Sequence, residues 1–171
     1  MNTIFVGMPG SGKTTIGKLV ARELAREFVD VDKFIATTTG RDTADHLAEL
    51  GDDGFLDFES ETSRQINLEK GVIATTGSNP LRREGIEHLR RDGVTIWMDV
   101  PLELIEKRVG KRADGDSRIV GAQTMTLPEI LAWRKKEYEK HHDLRFQLEE
   151  EKPKEEVAEM VLQLLRENNV C

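Results

Sequence analysis

Gly7-Met8-Pro9-Gly10-Ser11-Gly12-Lys13-Thr14 is the stretch on which the reading of this chain turns. It matches G-x-x-x-x-G-K-[ST], a pattern that needs a strand before it and a helix after it. Both are written in the flanking residues. Thr3-Ile4-Phe5-Val6 reads as a buried strand, and from Gly12 to about Arg26 the apolar residues Ile16, Leu19, Val20 and Leu24 fall on one helical face. Glycines let successive backbone N–H groups turn inward around a phosphate, and the start of a helix adds the positive end of its dipole. Gly7, Gly10, Ser11, Gly12, Lys13, Thr14 and Thr15 are therefore the candidate cradle for the phosphates of ATP. In such a loop the lysine reaches the β- and γ-phosphates and the Thr14 hydroxyl takes Mg²⁺. A plain glycine-rich turn is the competing reading, and the strand-loop-helix context argues against it.

Outward from this loop, short apolar runs alternate with longer amphipathic stretches. Phe28–Val31 reads as a second strand, Val72–Thr75 as a third, Val94–Val100 as a fourth and Asp143–Leu148 as a weaker fifth. A polar segment at Thr37–Thr39 follows the second strand. Helical patterns cover Ala44–Leu50, Phe55–Leu68, Pro80–Arg91, Pro101 to about Lys111, Leu127–His141 and Lys152–Asn168. The 112–126 stretch lacks periodicity and holds two glycines, the signature of a mobile loop. Five strands interleaved with helices predict an α/β fold, one parallel sheet covered on both faces.

Composition bounds the rest. The 171 residues make about one domain. Net charge is −7, with 37% hydrophobic and 33% charged residues. An acidic chain is a poor general binder of nucleic acid or anionic membrane. No stretch approaches the ~20 apolar residues of a membrane span, and the N-terminus does not read as a signal peptide. The single cysteine, Cys171, excludes an intramolecular disulfide and a cysteine-based metal site. These features predict a cytoplasmic protein, and a domain of this size predicts a monomer.

A second constellation lies in Phe28-Val29-Asp30-Val31-Asp32. Strand alternation would put both carboxylates on one side, at the carboxyl end of a parallel strand, where ligands bind in such sheets. One serves a metal; the other reaches an acceptor hydroxyl near the γ-phosphate. Paired aspartates at a strand end are also common turn formers.

With these residues in place, the sequence resembles the shikimate kinase family. The resemblance covers most of the chain, from the first strand to about Leu148. It rests on G-x-x-G-x-G-K-T-T-x-G at Gly7–Gly17 and on F-x-D-x-D-x-x-I at Phe28, Asp30, Asp32 and Ile35, with looser matches at Gly77, Arg118, and Arg134 with Tyr138. The resemblance implies a nucleoside-monophosphate-kinase-like fold with sheet order 2-3-1-4-5, a lid at about 112–123 and an acceptor-binding helical region at about 33–68. It implies transfer of the ATP γ-phosphate to a ring hydroxyl of shikimate. Asp32 would orient that hydroxyl and take its proton, and Asp30 would hold Mg²⁺ through water. Arg118 would join Lys13 at the transferring phosphoryl, Arg134 would bind the acceptor carboxylate, Gly77 would border the acceptor, and Arg108 would lie near the adenine.

The departures fall in the acceptor half. The family's F-R-x-x-E reads Phe55-Leu56-Asp57-Phe58-Glu59 here, so a carboxylate-clamping arginine is Leu56, which forms no charge-assisted hydrogen bond. A three-glycine run becomes Thr75-Thr76-Gly77, the lid's Arg-Pro becomes Arg118-Ile119, and Tyr-x-x-x-Ala-Asp becomes Tyr138 through His142-Asp143. Arg64, Arg82 and Arg83 are candidates to compensate, against a plain solvated-surface reading. His46 and His88 are expected on the surface, and Trp97 and Trp133 in the core. The partner implied is a small hydroxylated metabolite. The rival readings are a kinase of a nucleoside, nucleotide or sugar acid, and a nucleotide-binding module that performs no transfer.

Overall fold

Strand β1 (Asn2–Val6) is buried along its whole length, with Ile4, Phe5 and Val6 sealed from solvent. A strand apolar on both faces needs cover on both, the condition of a parallel sheet wrapped in helices. The computed structural model describes residues 1–110 and 119–170. Its sheet holds β1 at the centre, flanked by β3 (Gly71–Ala74) and β4 (Gly93–Asp99). Outside these pair β2 (Glu27–Asp30) and β5 (Leu144–Gln147), giving the parallel order 2-3-1-4-5 expected from the family likeness.

Helix α1 (Lys13–Glu23) follows β1 and packs against β3 and against the last helix, α7 (Lys154–Glu167). Between β3 and β4, a short 3₁₀ turn (Asn79–Leu81) leads into α4 (Arg83–Arg90), which packs on β1 and β4. Helices α5 (Leu102–Gly110) and α6 (Leu127–His141) lie between β4 and β5. Trp97 is in the core as expected, with only 2% of its surface exposed; Trp133 is half-buried.

The second strand departs from expectation. It ends at Asp30, whose carboxylate accepts the Lys33 amide at 3.2 Å and caps α2 (Val31–Thr39). This capping bond satisfies a helical N–H that the strand would have left paired to nothing, so the chain turns helical one residue after the carboxylate. Asp32 therefore sits in the first turn of α2, not on the strand, and alternation does not relate it to Asp30. Thr37–Thr39 is the last turn of α2, closed by the Thr39 hydroxyl on the Ile35 carbonyl and by Gly40 at φ +73°.

The two helices expected at 44–50 and 55–68 are joined as α3 (Thr43–Ser63), bent where Gly51 adopts φ +68°, ψ 178°. That helix stops five residues earlier than its apolar pattern suggests. The helix expected over Pro80–Arg91 is split at Arg82, which is extended. His46 is not on the surface: it stacks on Phe58 at 4.3 Å and its Nε2 lies 2.9 Å from the Thr39 hydroxyl. His88 is half-buried, with Nε2 2.9 Å from the Ile66 carbonyl.

A second, smaller apolar cluster stands apart from the main core. Leu47, Phe55 and Leu56 of α3 pack there with Val120. Leu56 is 3% exposed, so its side chain is spent on this cluster.

Candidate active site

The carboxyl ends of β1, β2 and β3 open on one cavity of about 880 Å³. Its floor is the loop between β1 and α1. Gly7 adopts φ +145°, and a Cβ there would lie 2.8 Å from the Met98 carbonyl, so only glycine lets this loop cross β4 so closely. Gly12 caps α1 at φ +97° with no side-chain bond, which leaves the first-turn N–H groups without a capping acceptor. Gly10, Ser11, Gly12, Lys13, Thr14 and Thr15 line the cavity; Gly7 supports them from behind.

Lys13 is buried and its Nζ donates to the carbonyls of Gly7 (2.8 Å) and Met8 (2.9 Å). Those bonds hold the ammonium at the mouth of the loop. The Ser11 hydroxyl is buried with no hydrogen-bond partner among the described residues. An orphaned donor beside uncapped helix N–H groups is what a bound phosphate would satisfy, so the residues present fit a nucleotide. The Thr14 hydroxyl donates to Asp30 Oδ2 at 2.7 Å. These are hard oxygen donors of the kind a small divalent cation takes. Asp30 itself does not line the cavity; it reaches it through Thr14.

Asp32 does line the cavity. Its carboxyl is held above the ordinary range, chiefly because protein surrounds it, and further by the neighbouring Asp30; Lys13 and a hydrogen bond with Thr43 act against that. The side chain nevertheless opens to solvent through the cavity, so water moderates the rise until a ligand excludes it.

The wall opposite is built from α3, the residues after β3, and α6. Glu59 is 1% exposed. Both its oxygens accept hydroxyls: Ser78 donates at 3.0 and 3.1 Å, and Thr76 donates in a very short bond. The Thr76 oxygen in turn accepts the Asn79 amide at 3.1 Å, which fixes the hydroxyl's direction. Burial pushes the Glu59 carboxyl up to about 7, against the pull of those two hydroxyls. Arg134 is equally buried, with Nη2 donating to the Val120 carbonyl at 2.9 Å and Nε without a partner among the described residues. The Tyr138 hydroxyl donates to the Gly77 carbonyl at 2.7 Å, and burial raises that phenol to about 12, so it remains a donor.

At the other end, Arg108 donates to the Gly10 carbonyl (3.0 Å) and to Glu151 (2.7 Å), lining the cavity beside Leu148 and Val157. The lid expected at 112–123 is described only from Ile119 onward, and Arg118 lies outside the described residues.

A family model for shikimate kinase matches residues 9–166. The chain belongs to the shikimate kinase family. Its fold is that of the family's solved members: shikimate kinase from Acinetobacter baumannii in complex with shikimate superposes with a TM-score of 0.85 at 25% identity, covering 99% of this chain and 95% of that one. Shikimate kinase of Nostoc sp. is 32% identical over 166 residues, 96% of this chain and 91% of the relative. Threonine synthase-like 1 of Macaca fascicularis is 34% identical over 168 residues, 96% of this chain but 22% of the relative. The chain thus spans about a fifth of the length of the Threonine synthase-like 1 relatives it matches. As a shikimate kinase family member the chain carries a P-loop kinase fold.

Within this family member, three arginines offered as compensation for Leu56 are surface groups. Arg82 pairs with Asp53 and Asp57, Arg83 with Glu87, and Arg64 with Glu61, and none lines the cavity. Glu59, Thr76 and Ser78 are the site residues that sequence reasoning passed over. Part of the signal was present: Thr76 stands where the family pattern has glycine and reaches Glu59, whose family arginine partner is Leu56 here, whereas the other replacement, Thr75, donates to the Phe5 carbonyl.

Proposed function

We propose that this protein transfers the γ-phosphoryl group of ATP to a hydroxyl of a small metabolite, for which shikimate is the acceptor that family membership favours. The observation that carries this reading is the meeting of Lys13, the uncapped start of α1 and the Asp32 carboxylate in one cavity.

The roles follow from position. Gly10–Thr15 hold the phosphates through backbone N–H groups and the Ser11 hydroxyl. Lys13 meets the charge that develops on the transferring group, and Arg118 is proposed to join it. Thr14 and Asp30 would hold Mg²⁺, which when bound neutralises charge between the β- and γ-phosphates. Asp32 accepts a hydrogen bond from the acceptor hydroxyl and takes its proton; the raised carboxyl makes it the stronger base. The oxygen so freed attacks the γ-phosphorus in line. Arg108 packs at the base of the nucleotide. Gly77 lets the acceptor approach the backbone, and Arg134 stands behind it. Most of the rate in such chemistry comes from positioning and preorganised charge.

A second reading keeps the chemistry and changes the acceptor. Leu56 is buried in the apolar cluster with Phe55 and Val120 and offers no charge to a ligand. ADP release from Mg-ATP, with and without shikimate, tests the first reading directly. Strong stimulation supports it. Nucleotide binding with no transfer to shikimate, sugar acids, polyols or nucleosides would overturn both.

A further inference from the structure

We propose that Thr76 and Ser78 are positioning residues for the acceptor: by donating to Glu59 from either side of Gly77, they hold the Gly77 peptide between the phosphate loop and Arg134. This rests on the kinase reading above and deepens its acceptor half.

Glu59 comes from α3 and stands buried against the residues that follow β3. Thr76 donates to its Oε1 in a very short bond, and Ser78 donates to Oε1 at 3.1 Å and to Oε2 at 3.0 Å. Gly77 is the residue between those two donors. Its carbonyl accepts the Tyr138 hydroxyl of α6 at 2.7 Å. One residue beyond Ser78, the Asn79 amide donates to the Thr76 hydroxyl oxygen at 3.1 Å, and Asn79 Nδ2 donates to the Ser63 hydroxyl of α3 at 2.7 Å. Helices α3 and α6 thus grip the same short turn.

Side chains carry this grip because the backbone does not. The Thr75 amide still donates to the Phe5 carbonyl, continuing the sheet. Past it, Thr76 and Gly77 make no backbone–backbone hydrogen bond among the described residues. A segment tethered so lightly keeps several conformations open unless other bonds remove them. Thr76 supplies such a bond, which the glycine of the family pattern has no hydroxyl to make. Leu56, where that pattern has arginine, is buried with Phe55 and Val120 and offers Glu59 no hydrogen bond. The side chains that bond Glu59 therefore come from the loop after β3 rather than from its own helix.

Placement matters at Gly77 because its backbone touches both halves of the site. A Cβ there would lie 2.6 Å from Pro9 Cδ and 2.7 Å from Arg134 Nη1. Pro9 belongs to the phosphate loop, and Arg134 to the wall opposite. A shift of Gly77 moves an acceptor resting against it relative to the γ-phosphate, and in-line transfer tolerates little of that.

ADP release by the full chain is followed under Mg-ATP, with whichever of shikimate, gluconate and inositol stimulates it most as the acceptor. Thr76→Val keeps the shape and loses the donor. It is expected to raise the acceptor KM at least fivefold and to leave the KM for ATP within twofold. Thr76→Ser restores the donor and should bring the acceptor KM back to within twofold of wild type. Ser78→Ala, which leaves the Thr76 bond in place, should raise it at least threefold. Glu59→Met has similar length and no oxygen to accept; in that background Thr76→Val should add less than twofold, because the two act through one contact. An unchanged acceptor KM in folded Thr76→Val and Ser78→Ala proteins overturns the proposal and leaves the kinase reading standing. So does an equal rise in the KM for ATP, no recovery in Thr76→Ser, or a full additional penalty in the Glu59→Met background. A wild-type chain that binds nucleotide and transfers to none of the three compounds overturns both.

Discussion

The Thr14 hydroxyl and the Lys33 amide share one carboxylate: Thr14 donates to Asp30 Oδ2 at 2.7 Å, and Lys33 donates to Oδ1 at 3.2 Å. A single side chain thereby ties the phosphate loop's helix to the start of α2, the helix that carries Asp32.

Asp30→Ala should therefore act twice. Loss of the cap costs about 1 kcal/mol, a fall of about 2–4 °C in melting temperature for a domain of this size. The Mg²⁺ concentration for half-maximal activity should rise several-fold, because Thr14 loses its anchor. A thermal melt together with a Mg²⁺ titration checks both; an unchanged Mg²⁺ requirement would remove Asp30 from the metal site.

Lys13 and Asp32 should separate in kinetics. Lys13→Ala is expected to lower turnover by about 10²–10³ and to weaken nucleotide binding. Asp32→Asn should lower turnover by about 10²–10⁴ with nucleotide affinity nearly intact. Calorimetric titration with a non-hydrolysable ATP analogue decides it: an equal collapse of affinity in both variants contradicts the division of roles.

Stability should fall as pH rises from about 4.5 to about 7. Burial raises Glu59 from its ordinary value of 4.5 to about 7 in the fold, so within that window the folded protein holds a proton that the unfolded chain has released. Folded protein binding more protons means stability declines with pH, by on the order of 3 kcal/mol across the window if this group acts alone. Urea unfolding at pH 5 and pH 8 measures the difference. Glu59→Gln should flatten the decline; a wild-type curve that rises over this range would show that Glu59 is ionised at little cost.

Gly77→Ala should damage the acceptor end selectively. A Cβ there would lie 2.6 Å from Pro9 Cδ and 2.7 Å from Arg134 Nη1. Relief requires moving the phosphate loop or the guanidinium, at about 1–3 kcal/mol. The acceptor KM should rise about tenfold or more while the KM for ATP changes little, if the guanidinium is what moves. Steady-state kinetics against both substrates would show it, and an effect on ATP alone would mean the loop yields instead.

Much of this was legible in the chain. The Gly7–Thr14 loop is a local device: its glycines, its lysine and the following helix are adjacent in sequence, and their geometry needs no distant partner. The strands were readable because each is a short apolar run, and the parallel order followed from the family likeness. Boundaries were less so. Asp30 ended β2 by capping α2, a choice made by one hydrogen bond that alternation does not encode. Arg82 split a helix whose pattern ran on past it, whereas α3 ran through the gap expected after Leu50 with only a bend at Gly51.

The residues alone settled that a phosphate-binding loop opens a parallel sheet and that two aspartates stand at the end of its second strand, because backbone conformation and hydrophobic pattern are short-range. Folding was needed to place Glu59 of α3 between the hydroxyls of Thr76 and Ser78, to bury Arg134 against Gly77, and to turn Arg64, Arg82 and Arg83 outward to surface carboxylates. Those outcomes depend on which segments are packed face to face and on how much water is left between them. Charge and hydrogen bonding change their strength with exactly that burial, which no single stretch of the chain carries.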